Sequence, residues 1–158
     1  MIREVHQDRV TFADPPTRFE AGTPNVAGAV GLSAALDYVE GIGWDQIAAH
    51  ERGLWERAMR EASARFGNRL TVYGPEEFRD RQGILSFSLK GMHPHDVAEL
   101  LDADGVAVRA GHHCCQPLME RLKVPALTRA SPYVYNTPAE IDRFFDALER
   151  AARVFTAG

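Results

Sequence analysis

Apolar residues along the 158-residue chain are spaced irregularly at first, then helically, then in alternation, and helically again at the end. Residues 1–26 hold Pro15, Pro16, Gly22 and Pro24 with little sustained periodicity, which predicts a strand or two and a long loop. Over residues 26–40 small and apolar side chains dominate (Ala27, Val30, Leu32, Ala35, Leu36, Tyr38, Val39), predicting a tightly packed helix closed by Gly41. Residues 45–64 place Ile47, Leu54, Trp55, Ala58, Met59 and Ala62 at helical spacings with charges between them. This is an amphipathic helix that Gly67 ends.

The period then changes. Residues 70–73 and 84–89 read as strands around a charged turn with Gly74, Pro75 and the 76–81 cluster. A helix over 96–101 enters through Pro94-His95, and a short apolar strand is expected at Val106-Ala107-Val108. A short helix near 118–122 and an extended segment over 127–131 follow. Thr137-Pro138-Ala139-Glu140 is a capping box with proline at the first helical position, backed by Ile141, Phe144, Phe145, Leu148 and Phe155 at helical spacing. Helices flanking a small sheet, behind an irregular N-terminal leader, give an α+β architecture. No internal repeat interrupts it.

Composition narrows the function classes. A chain that is 45% hydrophobic buries enough surface for one ordinary domain, and a net charge of −4 gives no electrostatic basis for a nucleic-acid or anionic-membrane partner. No apolar run approaches the length of a spanning helix. The first residues carry Arg3, Glu4 and Asp8 and lack the apolar core of a signal peptide, so a cytoplasmic location is expected.

Candidate chemistry concentrates in Arg109-Ala110-Gly111-His112-His113-Cys114-Cys115, where the chain's only two cysteines adjoin two histidines and an arginine. A thiol beside cationic or proton-accepting groups can be held partly as thiolate, the nucleophilic form. Gly111 permits an unusual backbone turn, which puts the cysteines on a loop, and three other readings of the same residues stand beside the reactive thiol. Cys2His2 is a legitimate zinc ligand set, but four adjacent side chains cannot converge on one tetrahedral ion without severe backbone distortion. A Cys114–Cys115 disulfide would be strained, because neighbours in an extended chain point to opposite sides. Either cysteine could also pack simply as a small apolar residue. His112 and His113, as neighbours on an extended segment, would not both face the thiol: at most one does and the other is structural, either could accept or deliver a proton near neutral pH, and the choice is open.

Longer motifs carry a resemblance. The run from Arg109 to Cys114, then Gln116-Pro117-Leu118-Met119, Thr128-Arg129-Ala130-Ser131 and Tyr133-Val134-Tyr135-Asn136-Thr137 resemble the C-terminal region of the SUF-type, or group II, cysteine desulfurases and related selenocysteine lyases of aminotransferase class V. Arg18-Phe19-Glu20-Ala21-Gly22-Thr23-Pro24-Asn25 resembles the segment leading into that family's small domain. Pro94-His95-Asp96-Val97 resembles its helix start before the cysteine strand.

The resemblance implies the small C-terminal domain (residues 27–158) of a fold-type I enzyme, preceded by a leader (1–26) from the large-domain side. It implies pyridoxal 5'-phosphate as cofactor, L-cysteine as substrate, L-alanine as product and a persulfide on Cys114 that feeds iron-sulfur cluster assembly through a SUF acceptor protein. By the same match Arg129 binds the substrate carboxylate, Arg109 lies in the active-site wall, and Gly22 and Thr23 reach the phosphate of the cofactor held by the opposite subunit of a homodimer. Without the resemblance, Thr23 reads as a turn residue before Pro24 and Arg129 as a solvated surface residue.

Departures from the pattern are as informative. The only lysines are Lys90 and Lys123, and neither stands in the serine-histidine-lysine context that forms the Schiff base. The large domain carrying that lysine is expected to precede Met1, so the chain reads as a fragment or one part of a split enzyme, inactive on its own. An alternative is a persulfide relay or dimerisation module working without the cofactor. Cys115 stands where relatives carry a small non-thiol residue, and Pro132 replaces a bulkier apolar one.

Overall fold

A computed structural model describes residues 1–156. These divide into two compact units, residues 1–43 and the described residues from 44 onward. In the first, strands β1 (Ile2–Val5) and β2 (Val10–Phe12) pair antiparallel, and a single 3-10 turn at Thr17–Phe19 precedes helix α1 (Val26–Ile42). The Asn25 side chain caps α1 by accepting from the Gly28 N–H at 2.9 Å.

Helix α1 departs from expectation in two ways. It runs past Gly41 to end at Gly43, whose φ of 91° and N–H bond to the Val39 carbonyl close the last turn. None of its 17 residues is buried, so it is not tightly packed within this chain; Val30, Leu32 and Tyr38 are each more than 60% exposed. The reason lies in its pattern. Apolar side chains surround the helix rather than forming one stripe, so nothing directs it onto a one-sided core.

The second unit holds helix α2 (Trp44–Phe66), strands β3 (Leu70–Tyr73) and β4 (Leu85–Leu89), helix α3 (Pro94–Ala103), strand β5 (Arg109–Gly111), helix α4 (Gln116–Leu122), strand β6 (Leu127–Ala130) and helix α5 (Pro138–Thr156). The four strands form one antiparallel sheet in the order β3-β4-β6-β5. Alternation sorts its two faces. Leu85, Phe87 and Leu89 of β4 and Thr128 of β6 point into a core built with Leu54, Ala58 and Phe66 of α2, Val97 and Leu101 of α3, and Phe144, Phe145 and Leu148 of α5. Phe144 meets Phe87 edge-on at 5.8 Å, and Phe145 packs against Phe66 at 6.2 Å.

Local signals hold well in this unit. The Glu140 carboxylate accepts from the Thr137 N–H at 2.7 Å, completing the predicted capping box, and Ile141, Phe144, Phe145 and Leu148 are buried. The side chain of Phe155 lies outside the described residues. One strand is displaced: the ladder runs over Arg109–Gly111, not 106–108. The Val106 N–H still bonds the Leu101 carbonyl at the end of α3, and Gly105 takes a φ of 71°, so this stretch finishes the helix before pairing begins.

Candidate functional site

The sheet face away from the main core carries the candidate chemistry. Pairing sets Tyr73 opposite Ser86, Ser86 opposite Arg129, and Arg129 opposite Arg109, so one row of four residues crosses all four strands on a single face. Like charges placed directly opposite on neighbouring strands destabilise a sheet. The Arg129–Arg109 pair therefore marks a surface suited to anions rather than to stability.

Beyond β5 the chain reverses sharply. Gly111 has a φ of 119°, and His113 and Cys114 follow at 55° and 61°, so the loop is a left-handed turn, as Gly111 led one to expect, and His112 and His113 are not neighbours on an extended segment. The turn sends Cys114 back toward the strand, where the Arg109 Nη2–H donates to its Sγ at 3.3 Å. Both cysteines are free thiols and exposed. Cys115 begins α4: its carbonyl accepts from the N–H groups of Leu118 and Met119, and its own N–H bonds the His112 carbonyl at 2.9 Å.

The two histidines separate clearly. The His113 Nε2 lies 3.1 Å from the Leu127 carbonyl, which only accepts, so Nε2 carries the hydrogen and ties the turn to β6. Its Nδ1 is buried without a hydrogen-bond partner. Burial pushes the His113 imidazole below its ordinary value and the Arg129, Arg109 and His112 charges push the same way, while the bond to Leu127 opposes them. His112 is exposed, its Nδ1 3.4 Å from the Gln116 amide nitrogen.

A cleft of about 490 Å³ opens beside the turn, walled by Tyr73, Ser86, Arg129, His113 and Cys115 over an apolar floor from Met119, Leu122 and Leu127. The Arg129 Nε–H, a donor, is buried and unpartnered, as is the acceptor Nδ1 of His113. Arg81, also on the wall, fastens the 74–84 loop by donating to the Tyr73, Pro75 and Ile84 carbonyls.

The structure thus brings Arg109, His112, His113, Cys114 and Arg129 into one cluster, while Gly22, at a φ of 78°, and Thr23 belong to the first unit. His95 and Asp96 sit in the first turn of α3, as expected of a helix start. Tyr73, Ser86 and Cys115 were missed as lining residues. The alternation of Leu85, Phe87 and Leu89 with Ser86 and Ser88 signalled which face Ser86 takes, but its place beside Arg129 depends on strand register.

Comparison with known proteins decides the family. Residues 1–144 match the aminotransferase class-V model. The chain belongs to that family. It is 50% identical over 145 residues to a probable cysteine desulfurase of Halalkalibacterium halodurans and 48% identical over 155 residues to one of Streptomyces coelicolor. Those alignments cover 92% and 98% of this chain but 34% and 37% of the relatives, so it spans about a third of their length. Solved cysteine desulfurases from Thermococcus onnurineus and Escherichia coli superpose with TM-scores of 0.85, at 39% and 36% identity, over 96% and 98% of this chain and 37% of each structure.

The residues present do not fit covalent attachment of pyridoxal phosphate, the cofactor the family implies. Lys90 lies in the turn after β4 with its N–H on the Arg69 carbonyl, and Lys123 is the left-handed cap of α4 at a φ of 57°. Neither lines the cleft.

Proposed function

We propose that this chain is the sulfur-accepting part of a pyridoxal-phosphate-dependent cysteine desulfurase of the SUF type, receiving sulfur from L-cysteine as a persulfide on Cys114. The observation that carries the reading is the Arg109 guanidinium 3.3 Å from the Cys114 sulfur, on an exposed turn beside the second arginine of the sheet row. A cation donating to the sulfur stabilises the negative charge a nucleophilic thiolate needs. Arg129 offers a planar pair of donors to the substrate carboxylate. His113, bonded to the Leu127 carbonyl, anchors the turn, which leaves His112, exposed one residue earlier, as the histidine assigned to proton transfer.

The Schiff-base lysine comes from outside these residues. Gly22 and Thr23 are assigned to the cofactor phosphate across a homodimer, with a SUF acceptor protein taking the sulfur in the cytoplasm for iron-sulfur cluster assembly. Use of selenocysteine in place of cysteine belongs to the same proposal. Among the described residues no helix is long and apolar enough to cross a membrane.

The test is reconstitution. The purified chain incubated with pyridoxal phosphate and L-cysteine produces no sustained alanine, whereas co-expression with a polypeptide carrying the remaining two thirds of a relative restores alanine production. Cys114→Ser and Arg129→Ala each abolish the restored activity. Alanine release by the chain alone, or restored activity indifferent to both substitutions, overturns the reading.

A further inference from the structure

We propose that Cys115 is a second sulfur carrier, taking the persulfide sulfur from Cys114 and holding it in the cleft. The inference rests on the reading of Cys114 as first acceptor. Its basis is that the two adjacent thiols have different surroundings. Consecutive left-handed residues turn Cys114 toward Arg109, while Cys115 lines the cleft with Tyr73, Ser86, His113 and Arg129. The buried Arg129 Nε–H lacks an acceptor, and a persulfide anion entering the cleft from Cys115 supplies one.

Chemistry and chain geometry favour transfer over disulfide formation. In the transfer, the Cys115 thiolate attacks the outer sulfur of Cys114–S–SH. The S–S bond on Cys114 breaks, one forms on Cys115, and Cys114 departs as a thiolate beside the Arg109 guanidinium. The Cys115 proton goes to solvent and Cys114 regains one from it, so the sum is Cys114–S–SH plus Cys115–SH giving Cys114–SH plus Cys115–S–SH, with no oxidant or reductant. A stabilised thiolate leaves faster, which places Arg109 on the sulfur that must depart.

In-line displacement needs the two Sγ atoms roughly 4–5 Å apart, about two S–S bond lengths. Adjacent Cα atoms about 3.8 Å apart allow this by side-chain rotation alone. Attack on the inner sulfur would instead expel hydrosulfide and close a strained disulfide between neighbours.

The experiment loads the 158-residue chain with a low-molecular-weight persulfide (cysteine persulfide) under anaerobic conditions, quenches with an alkylating agent at intervals, and maps added sulfur by tandem mass spectrometry. In the wild type, sulfur is expected first on Cys114 and then on Cys115 as the Cys114 signal declines. Cys115→Ala keeps the sulfur on Cys114, and Cys114→Ser loses most Cys115 loading. Sulfur on Cys114 that never reaches Cys115 overturns the relay but leaves Cys114 as acceptor. Undiminished Cys115 loading in Cys114→Ser, or a Cys114–Cys115 disulfide with sulfide release, also overturns it. Failure to load either cysteine removes both the relay and the reading beneath it.

Discussion

Replacing Gly111 with alanine tests whether backbone conformation holds the thiol turn. A Cβ at this position meets nothing closer than the His95 Nε2 at 4.0 Å, so steric overlap contributes almost nothing. The full effect comes from the φ of 119°, which L side chains rarely adopt; holding such a conformation costs about 1–3 kcal/mol. At about 3 °C per kcal/mol for a unit of this size, Gly111→Ala lowers the melting temperature by roughly 3–9 °C. Gly53 is the matched control, since it lies within α2 with open space around its Cβ position. Gly53→Ala gains about 1 kcal/mol of helix propensity and raises the melting temperature by about 3 °C. The reactivity of Cys114 is read alongside, by its alkylation rate well below either transition. An exposed charge contact contributes about 0.2–1 kcal/mol, so relaxing the turn away from Arg109 slows alkylation by at most about fivefold. Gly53→Ala leaves it unchanged. A Gly111→Ala chain that melts with the wild type and reacts at the wild-type rate would refute the assignment of the turn to this backbone.

Three further outcomes follow from the same packing. His113 is held below the ordinary imidazole value of about 6.5, so the unfolded chain protonates first; its contribution is complete above about pH 6.5 and falls as pH drops below it. His113→Gln, which keeps a donor for the Leu127 carbonyl, flattens the denaturation midpoint between about pH 7 and 5, and an unchanged slope contradicts this. Asp142 is held low chiefly by its hydrogen bond to Arg57, at 2.6 Å between α5 and α2, so its contribution is present above about pH 4 and lost in acid. Asp142→Asn is therefore destabilising at neutral pH with a deficit that shrinks toward pH 3; an equal deficit at both speaks against the pair. Phe145, fully buried against Phe66 and Phe144, loses about 3–5 kcal/mol as alanine, measurable by urea denaturation, and a loss under 1 kcal/mol would mean the core closes around the gap.

What the sequence made legible was local. The Thr137–Glu140 box and the Ile141-Phe144-Phe145-Leu148 stripe depend on residues within two turns of each other, and both appear as read. The turn after β5 was also legible, because Gly111 permits it by identity alone. Misreadings arose where partners are distant or absent. Val106 and Val108 look like strand residues, but strand character requires a neighbour, and pairing with β6 starts only at Arg109. Helix α1 reads as core because its residues are apolar, yet no residue of it is buried in this chain. The division between His112 and His113 was hidden too, since it follows from the Leu127 carbonyl, fourteen residues downstream of His113.

Strand register links the core to the cysteine turn. A one-residue slip of β6 against β4 would move Thr128 out of the core and Arg129 into it, exchanging a buried hydroxyl on the Pro94 carbonyl for a buried guanidinium. Burial of Leu85, Phe87 and Leu89 opposes that slip on the neighbouring strand. The core therefore fixes Arg129 beside Ser86, and the next ladder fixes Arg109 beside Arg129 despite their like charge. Arg109 then points from the end of the row to the Cys114 sulfur. Hydrophobic alternation, which says nothing about sulfur, is thus what delivers a guanidinium to the thiol. Conversely, substitutions in β4 that loosen this register, far from the cysteines in sequence, should lower Cys114 reactivity in step with stability.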